Sequence, residues 1–473
     1  MSCFKIWHNR LLTILGNYVI IVTRKEAWDT MYQVMSVVLK QGHPLQHVFG
    51  LYTGLAKLMK NACIYRMRQL SFALLKDYDP EKLGPAQLEV LDEFAKAGVA
   101  VGKKHAFPGY LEFVRMFTGT HNPDYYNALP SQCSQQIIKE ALADFKGYFA
   151  AMKVYKKDPS KFTGKPKLPG YCKNKHISFD ITNQEAVIYR KPDGSYECKI
   201  PKTKHRVQLG RSIPGRLKEV TVQPYYDTYK LCFVFEAADT PPGHLDPSRI
   251  LGLDPGVDNL LTAGNNCGLT PFIANGKAIK SMNRYTNMRV ANLKAMLPEN
   301  GTSKQVQHIW KKRKQYMQDQ AHKISRYIVD YCVANNIGTI VIGKNDGWKE
   351  SMDDKCHNDQ QNFRYIPYDL FFQKIREKGE AAGVCVIIRE ESYTSRSSFL
   401  DLDYLATYGV DDSLKQCSGK RVRRGLYRSG SGVYINADVN GACNIIRKEF
   451  PDAFAGITDF SYLTRTVDRI MFM

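Results

Sequence analysis

No stretch of this sequence stays apolar long enough to cross a bilayer. The longest run, Tyr18–Thr23, falls far short of the roughly 20 residues a spanning helix needs. The opening segment Met1–Tyr32 mixes Lys5, Arg10, Arg24 and Lys25 with short apolar runs, which argues against a secretory signal. Twelve cysteines lack the regular spacing of a disulfide framework and read as reduced thiols of an intracellular protein. Acidic residues are scarce: 46 Asp and Glu stand against 67 Lys and Arg, for a net charge of +21. A surplus that large opposes compaction by self-repulsion and favours a polyanionic partner over a merely basic surface. No internal repeat is visible. The chain, 473 residues at 44% hydrophobic and 24% charged, can bury real cores and suggests two to four domains.

The pattern changes along the chain. Tyr18–Val22 is rich in β-branched residues and reads as a strand. Residues 30–150 read as helices: Leu55, Leu58, Met59, Ala62 and Tyr65 keep a 3.6-residue period, as do the apolar positions of Ile137–Met152. Lys57, Lys60, Arg66 and Arg68 interrupt them, and Lys57, Lys60 and Arg66 are candidate nucleic-acid contacts, the alternative being a solvated charged face. Lys153–Lys175 loses the helical period and becomes rich in lysine and proline. Its Lys165, Lys167, Lys173 and Lys175, interleaved with tyrosine, suit a nucleic-acid backbone with some base stacking, the alternative being a solvated linker. Residues 176–240 alternate apolar and polar, as antiparallel strands of a small barrel would, and Asp239–Ser248 reads as a linker. From Arg249 strands alternate with helices: Ile250–Leu253, Gly338–Ile342 and Val384–Ile388 as strands, Ser303–Asn335, Pro367–Ala382 and Ala437–Lys448 as helices. That alternation predicts an α/β layer around a central sheet.

Acids stand at three places in this half. Asp254 ends an apolar strand, Glu390-Glu391 follows another, and Asp438 opens a helix. Carboxylates aimed off a sheet edge supply the oxygen ligands hard cations take, and two such cations can clamp the attacking and leaving oxygens of a phosphoryl transfer. On spacing alone the signal is weak, because an Asp at a strand end is usually a turn residue.

The surrounding wording is far more specific. LGLDPGVDNLLTAG (Leu251–Gly264), PFIANGKAIKSMN (Pro271–Asn283), DQAHKISRYIVDYC (Asp319–Cys332), IVIGKNDGWK (Ile340–Lys349), EESYTSRSSFLD (Glu390–Asp401) and GKRVRRGLYRSGSGVYINADVNGACNIIRK (Gly419–Lys448) together resemble the TnpB family. These are insertion-sequence nucleases related to Fanzor proteins and compact type V CRISPR effectors. LAKLMKNACIYRMRQ (Leu55–Gln69), LPSQCSQQIIKEALADFKGYF (Leu129–Phe149) and KFTGKPKLPGY (Lys161–Tyr171) extend the resemblance, more loosely, over nearly the whole chain. The resemblance implies a multidomain α+β protein. Its β-barrel wedge domain (1–30 and 151–245) would be interrupted by a helical recognition domain (31–150). A C-terminal RNase H-like (RuvC) α/β domain (246–473) would follow. It implies an RNA-guided DNA endonuclease that pairs a guide RNA with double-stranded target DNA beside a short motif and cuts it at a single site with two Mg²⁺ ions, for which Mn²⁺ can substitute. Base pairing then supplies the sequence choice, and a +21 chain supplies charge complementarity. Further candidate nucleic-acid contacts are position 422, within Lys420-Arg421-Val422-Arg423-Arg424, and Arg424. The compartment would be the cytoplasm, or the nucleus in a eukaryotic host, with no membrane partner. Monomer and dimer both remain open.

Two departures from the family pattern matter. Many relatives carry a four-cysteine zinc knuckle before the final Asp, but Cys417 is the one thiol between Thr394 and Asp438, too few for a tetrahedral zinc site. The finger region near 396–435 is therefore expected to fold without zinc, held by its aromatic and basic residues. Second, most relatives place Glu where Gly343 stands. Relatives with a displaced Glu ahead of a YTS motif imply that Glu391 supplies the acid, giving Asp254, Glu391 and Asp438 as catalytic metal ligands. Glu390, Asp346 and Glu350 compete with it. The other readings are a nuclease-inactive RNA-guided DNA-binding repressor and, less well matched, a transposase or integrase.

Overall fold

The computed structural model describes residues 32–237, 244–299, 301–345 and 365–472, together with the backbone of the strands Phe4–Trp7, Arg10–Ile14 and Val19–Val22. The chain divides into two compact units, Met1–Asp239 and Thr240–Met473.

In the first unit the three N-terminal strands form an antiparallel meander. Tyr32–Val38, in the segment expected to be helical, is instead a strand, as Tyr32 and its three valines, Val34, Val37 and Val38, favour. It pairs with Thr228–Ala237, which pairs with Gly215–Tyr225, which pairs with Phe179–Thr182. A second sheet joins Val187–Arg190, Tyr196–Lys199 and Arg206–Gly210. The expected barrel does not close among the described residues. The strands between 187 and 210 satisfy their hydrogen bonds on one another, so the edges at Tyr32–Val38 and Phe179–Thr182 are never bridged.

Between the strands Tyr32–Val38 and Phe179–Thr182 run the helices Leu45–Leu75, Pro85–Lys96, Tyr110–Gly119 and Ser131–Lys157. The first buries Phe49, Ala56, Met59, Cys63, Met67 and Leu70, spaced three, four or seven apart so that they form one stripe. The lysine-rich segment after Lys157 is tied to that helix rather than loose. Asn61 accepts from the Cys172 backbone N–H (2.8 Å), and Arg68 donates to the Pro169 carbonyl (2.9 Å).

In the second unit a six-stranded sheet has the order Cys385–Arg389, Ile337–Gly343, Asp246–Pro255, Asn259–Asn265, Phe272–Asn275, Asp468–Ile470. The first three run parallel, and Asn259–Asn265 is antiparallel to both of its neighbours. Every residue of Ile337–Gly343 is buried, as in a strand covered on both faces. Leu251, Leu253, Ile340 and Ile342 pack with the helices Lys304–Ala334 and Tyr368–Ala382, while Ile250 and Val341 pack with the helix Ala437–Glu449. That last helix lies directly on the central strand. A Cβ on Gly252 would come within 2.7 Å of Ile446 Cγ1. Among the described residues no helix is long and apolar enough to cross a membrane.

The finger region contains the strands Lys420–Arg423, Leu426–Arg428 and Tyr434–Asn436. Aromatic and basic residues contribute as expected, Tyr427 donating to the Arg396 carbonyl (2.8 Å) and Arg428 lying over the Tyr434 ring, and two carboxylates add to them. Asp403 Oδ2 accepts from the Ser398 and Ser418 backbone N–H groups (2.6 and 3.0 Å), and Asp401 accepts from those of Gly430 and Ser431 (2.6 and 3.1 Å). Two carboxylates therefore cross-link the segments where thiols would otherwise meet a metal, because backbone N–H donors are plentiful there and charge-assisted hydrogen bonds are the strong kind. Asp403→Ala is expected to loosen this region by roughly 2 kcal/mol, read as faster proteolysis within 396–435, and elemental analysis of the parent protein should find no stoichiometric zinc.

Candidate active site

The three parallel strands end almost level. Leu253 pairs with Ile342, Ile342 with Ile388, and Gly343 with Arg389. Asp254, penultimate in its strand, thus lies next to the level of Gly343, and Glu391 comes two residues beyond Arg389. After the outer strand the chain turns sharply. The Glu391 N–H donates to Asn345 Oδ1 (3.0 Å), the Glu391 carbonyl accepts from the Thr394 hydroxyl (2.8 Å), and Tyr393 takes the left-handed φ of 62°. This curl carries the Glu391 side chain back over the neighbouring strand. A Cβ on Gly343 would collide with Glu391 Oε2, and would lie 3.2 Å from Glu391 Cβ. The space a side chain at 343 would fill is occupied by the carboxylate of residue 391.

Asp254 is fitted the same way. Its Oδ2 lies 2.6 Å from where a Cβ on Gly441 would stand, so only glycine lets the helix approach that carboxylate. Asp254 keeps some exposure at the sheet edge, yet it is sunk deeply enough that its carboxyl is pushed well above the ordinary range. Burial contributes most, then the charges of Glu391 and Asp438, with Arg421 opposing. Burial, and then Glu390, push Glu391 up to about 7. Tyr368, whose hydroxyl donates to the Gly256 carbonyl (2.7 Å), has its phenol pKa raised by burial first and then by Glu391 and Asp254.

Asp438 is in a different state. Asn436 caps the helix by accepting from the Asp438 and Val439 N–H groups (3.0 and 3.2 Å), which fixes Asp438 in the first turn. Its Oδ1 accepts from Arg421 Nη2 (2.9 Å) and its Oδ2 from Asn259 Nδ2 (2.7 Å). Among the described residues, no three Asp, Glu, His or Cys side chains form a ready-made metal-binding group. The donor chemistry still fits a hard divalent cation at the Asp254–Glu391 end. All the donors are oxygens, the acids repel one another, and Glu391 Oε2 is buried with no hydrogen-bond partner. Asp438 would join such a site by exchanging Arg421.

The other predicted positions divide. Glu390 points away from Gly343 and pairs with Lys448. Asp346 and Glu350 lie outside the described residues. Lys60 is not an outward cation: it pairs with Glu140 (3.2 Å) and Asp144 (3.3 Å). Arg66, 8% exposed, forks onto Glu93 (2.6 and 2.7 Å). Both face the packed side of their helix, where a charge survives only if paired. Lys57 is partly exposed, and Lys165, Lys167, Lys173 and Lys175 are exposed with no ion pair among the described residues. Position 422 is a half-exposed valine that offers no charge, while Arg424 pairs with Asp258. The guanidinium beside the acids is that of Arg421, which sequence reasoning passed over together with Asn259, Asn440, Asn444 and Lys448. The i, i+4, i+8 spacing of the last three within a buried helix was the signal available.

Residues 233–349 match the family model OrfB_IS605, described as a probable transposase. This segment is TnpB-like. It carries Asp254 and Gly343 and stops short of Glu391 and Asp438. Solved structures similar to the chain include a Cas12f1–sgRNA–target DNA complex (15% identity, TM-score 0.49, covering 85% of this chain and 82% of that one). Two others are a CRISPR–Cas12f ternary complex (13%, 0.31, 85% and 81%) and the mini-RNA-guided endonuclease CRISPR-Cas_phi3 (12%, 0.40, 93% and 94%). No curated protein matches the sequence.

The raised carboxyl of Glu391 has a consequence for stability. It holds its proton more tightly folded than unfolded, so ionising it costs stability. The cost is absent below its ordinary value of 4.5, grows as pH rises and is complete above about 7. Glu391→Gln should therefore be more stable than the parent at pH 8 in chelator, by at most about 3 kcal/mol, and should lose that advantage by pH 4.5. Melting curves at the two pH values test this.

Proposed function

We propose that the chain is an RNA-guided DNA endonuclease whose C-terminal unit is an RNase H-like, RuvC-type domain, with Asp254, Glu391 and Asp438 as its catalytic metal ligands. The sheet order supports the fold: an antiparallel meander of three strands extended by two parallel ones on the side of the first. The observation that carries the function is the Glu391 carboxylate lying over Gly343 beside Asp254 with one buried oxygen unpartnered. A carboxylate in that state is costly unless a cation or proton answers it. Magnesium bound there would clamp the attacking and leaving oxygens of a phosphodiester. The chain's own part is to hold two acids at adjoining strand ends, to bring Asp438 in on the helix, and to keep Tyr368 as a neutral phenol against them.

The proposed partners are a guide RNA and a double-stranded target DNA. The TnpB-like segment, the +21 charge and the exposed lysines of 165–175 support them. The alternative is an RNA-guided binding protein that does not cut, favoured by the Arg421–Asp438 ion pair, which holds one of the three acids.

Cleavage assays with the copurifying RNA separate the two. Asp254→Ala, Glu391→Gln and Asp438→Ala should each reduce cleavage by at least about 1,000-fold while leaving guide and target binding intact. The parent should need Mg²⁺ or Mn²⁺ near the millimolar range. Full activity in Glu391→Gln would remove it from the site, and a parent that binds target without cutting at any metal concentration would establish the binding protein.

Neutralising Lys165, Lys167, Lys173 and Lys175 together should weaken RNA or target binding and lower the salt slope by roughly one for each phosphate that the chain no longer neutralises. An unchanged slope would return the segment to a solvated surface.

A further inference from the structure

Two glutamates stand side by side at the end of the outer strand, and only one enters the site. Neighbouring residues in an extended segment face opposite ways, so register alone decides between them. Glu390 is captured on the far side. Its Oε2 accepts from Lys448 Nζ (2.5 Å) and its Oε1 from the Ser392 N–H (2.6 Å). Lys448 also donates to the Ser392 carbonyl (2.9 Å), the Ser392 hydroxyl (3.2 Å) and the Ala406 carbonyl (3.0 Å). Its side chain is only 3% exposed.

Lys448 ends a polar line on one face of the helix Ala437–Glu449. One turn earlier, Asn444 donates to the Thr394 and Ser397 carbonyls (2.9 and 2.8 Å). One turn before that, Asn440 accepts from the Phe399 N–H and donates to the Ser397 carbonyl (both 2.9 Å). The three side chains grip successive parts of the 390–406 segment, so the helix that carries Asp438 also sets the course of the segment that carries Glu391. Lys448 takes the stretch nearest the acid.

Stability alone does not explain a lysine there. Burying a paired charge is commonly no better than burying an apolar side chain of the same volume, and the best-attested use of such pairs is to specify register. We infer that Lys448 is a positioning residue for the proposed metal site: by holding Glu390 and both oxygens of Ser392, it selects Glu391 as the acid that lies over Gly343. The inference rests on the assignment of Glu391 proposed above.

The test measures Mn²⁺ binding to the full-length chain with its copurifying RNA, by electron paramagnetic resonance, in the parent, Glu391→Gln, Lys448→Met and the double variant. Lys448→Met should weaken Mn²⁺ binding by about tenfold or more. The double variant should bind no more weakly than Glu391→Gln alone, because Lys448 acts through Glu391; a residue that merely stiffened the fold would add its own loss. Should Lys448→Met fail to fold, Glu390→Ala cuts the same tether from the partly exposed end and must give the same loss. Unchanged affinity in the tether variant beside a loss in Glu391→Gln overturns the positioning role and leaves the metal site standing. A double variant whose loss is the product of the two singles overturns it as well. Unchanged affinity in Glu391→Gln overturns the metal assignment itself.

Discussion

Two carboxylates crowd together where adjoining apolar strands end, and the surroundings are shaped by that crowding. Burial and mutual repulsion raise the carboxyl of Asp254, and Glu391 keeps one oxygen with no partner. A group in that state costs a folded protein free energy, of the order of 1–3 kcal/mol for an unsatisfied buried acceptor. Nothing in the fold requires it, since an apolar residue at either position would relieve the strain. The neighbours are instead cut to accommodate it. Gly343 and Gly441 leave room for the two carboxylates, and Arg421 answers the third acid from outside.

This places Gly343 differently from a missing catalytic residue. Seen in sequence, glycine at that strand end reads as the loss of an acid. Seen in space, glycine is what lets the acid from the next strand lie there. A glutamate at 343 and one at 391 would compete for a single volume, so the two arrangements exclude one another and an intermediate carrying both would be overpacked.

The central strands and the helices packed on them were legible in the second unit because their periods are strong, whereas the helix Lys277–Lys294 was not anticipated. Ile337–Gly343 and Cys385–Arg389 match the expected strands to within a residue or so, and Lys304–Ala334 starts after Ser303, whose hydroxyl accepts from the Val306 N–H as an N-cap. The barrel was not legible, because alternation identifies strands and says nothing about which edges meet. Tyr32–Val38 was missed because a seven-residue strand sat inside a long helical window. Around the candidate site, the acids could be named from motif wording, but their supports could not. Asn440, Asn444 and Lys448 read as ordinary polar helix residues until the segment they grip is folded against them. Arg421 was likewise hidden within a basic run in which every guanidinium looked equivalent.

The charge of the chain needs the same spatial sorting. Net +21 counts every lysine and arginine alike, yet Lys60 and Arg66 are neutralised by Glu140, Asp144 and Glu93 inside the helical bundle, and Arg421 and Arg424 by Asp438 and Asp258. Cations already paired at close range contribute little field beyond a Debye length. The far field that would draw in a polyanion must therefore come from residues such as Lys165, Lys167, Lys173 and Lys175, which are exposed on a segment pinned to the helix Leu45–Leu75 by Asn61 and Arg68. Pinning matters, because a mobile basic tail must be ordered when it binds, at a cost of about 1–2 kcal/mol for each residue fixed, whereas a tethered one presents its charges with that cost already met in folding.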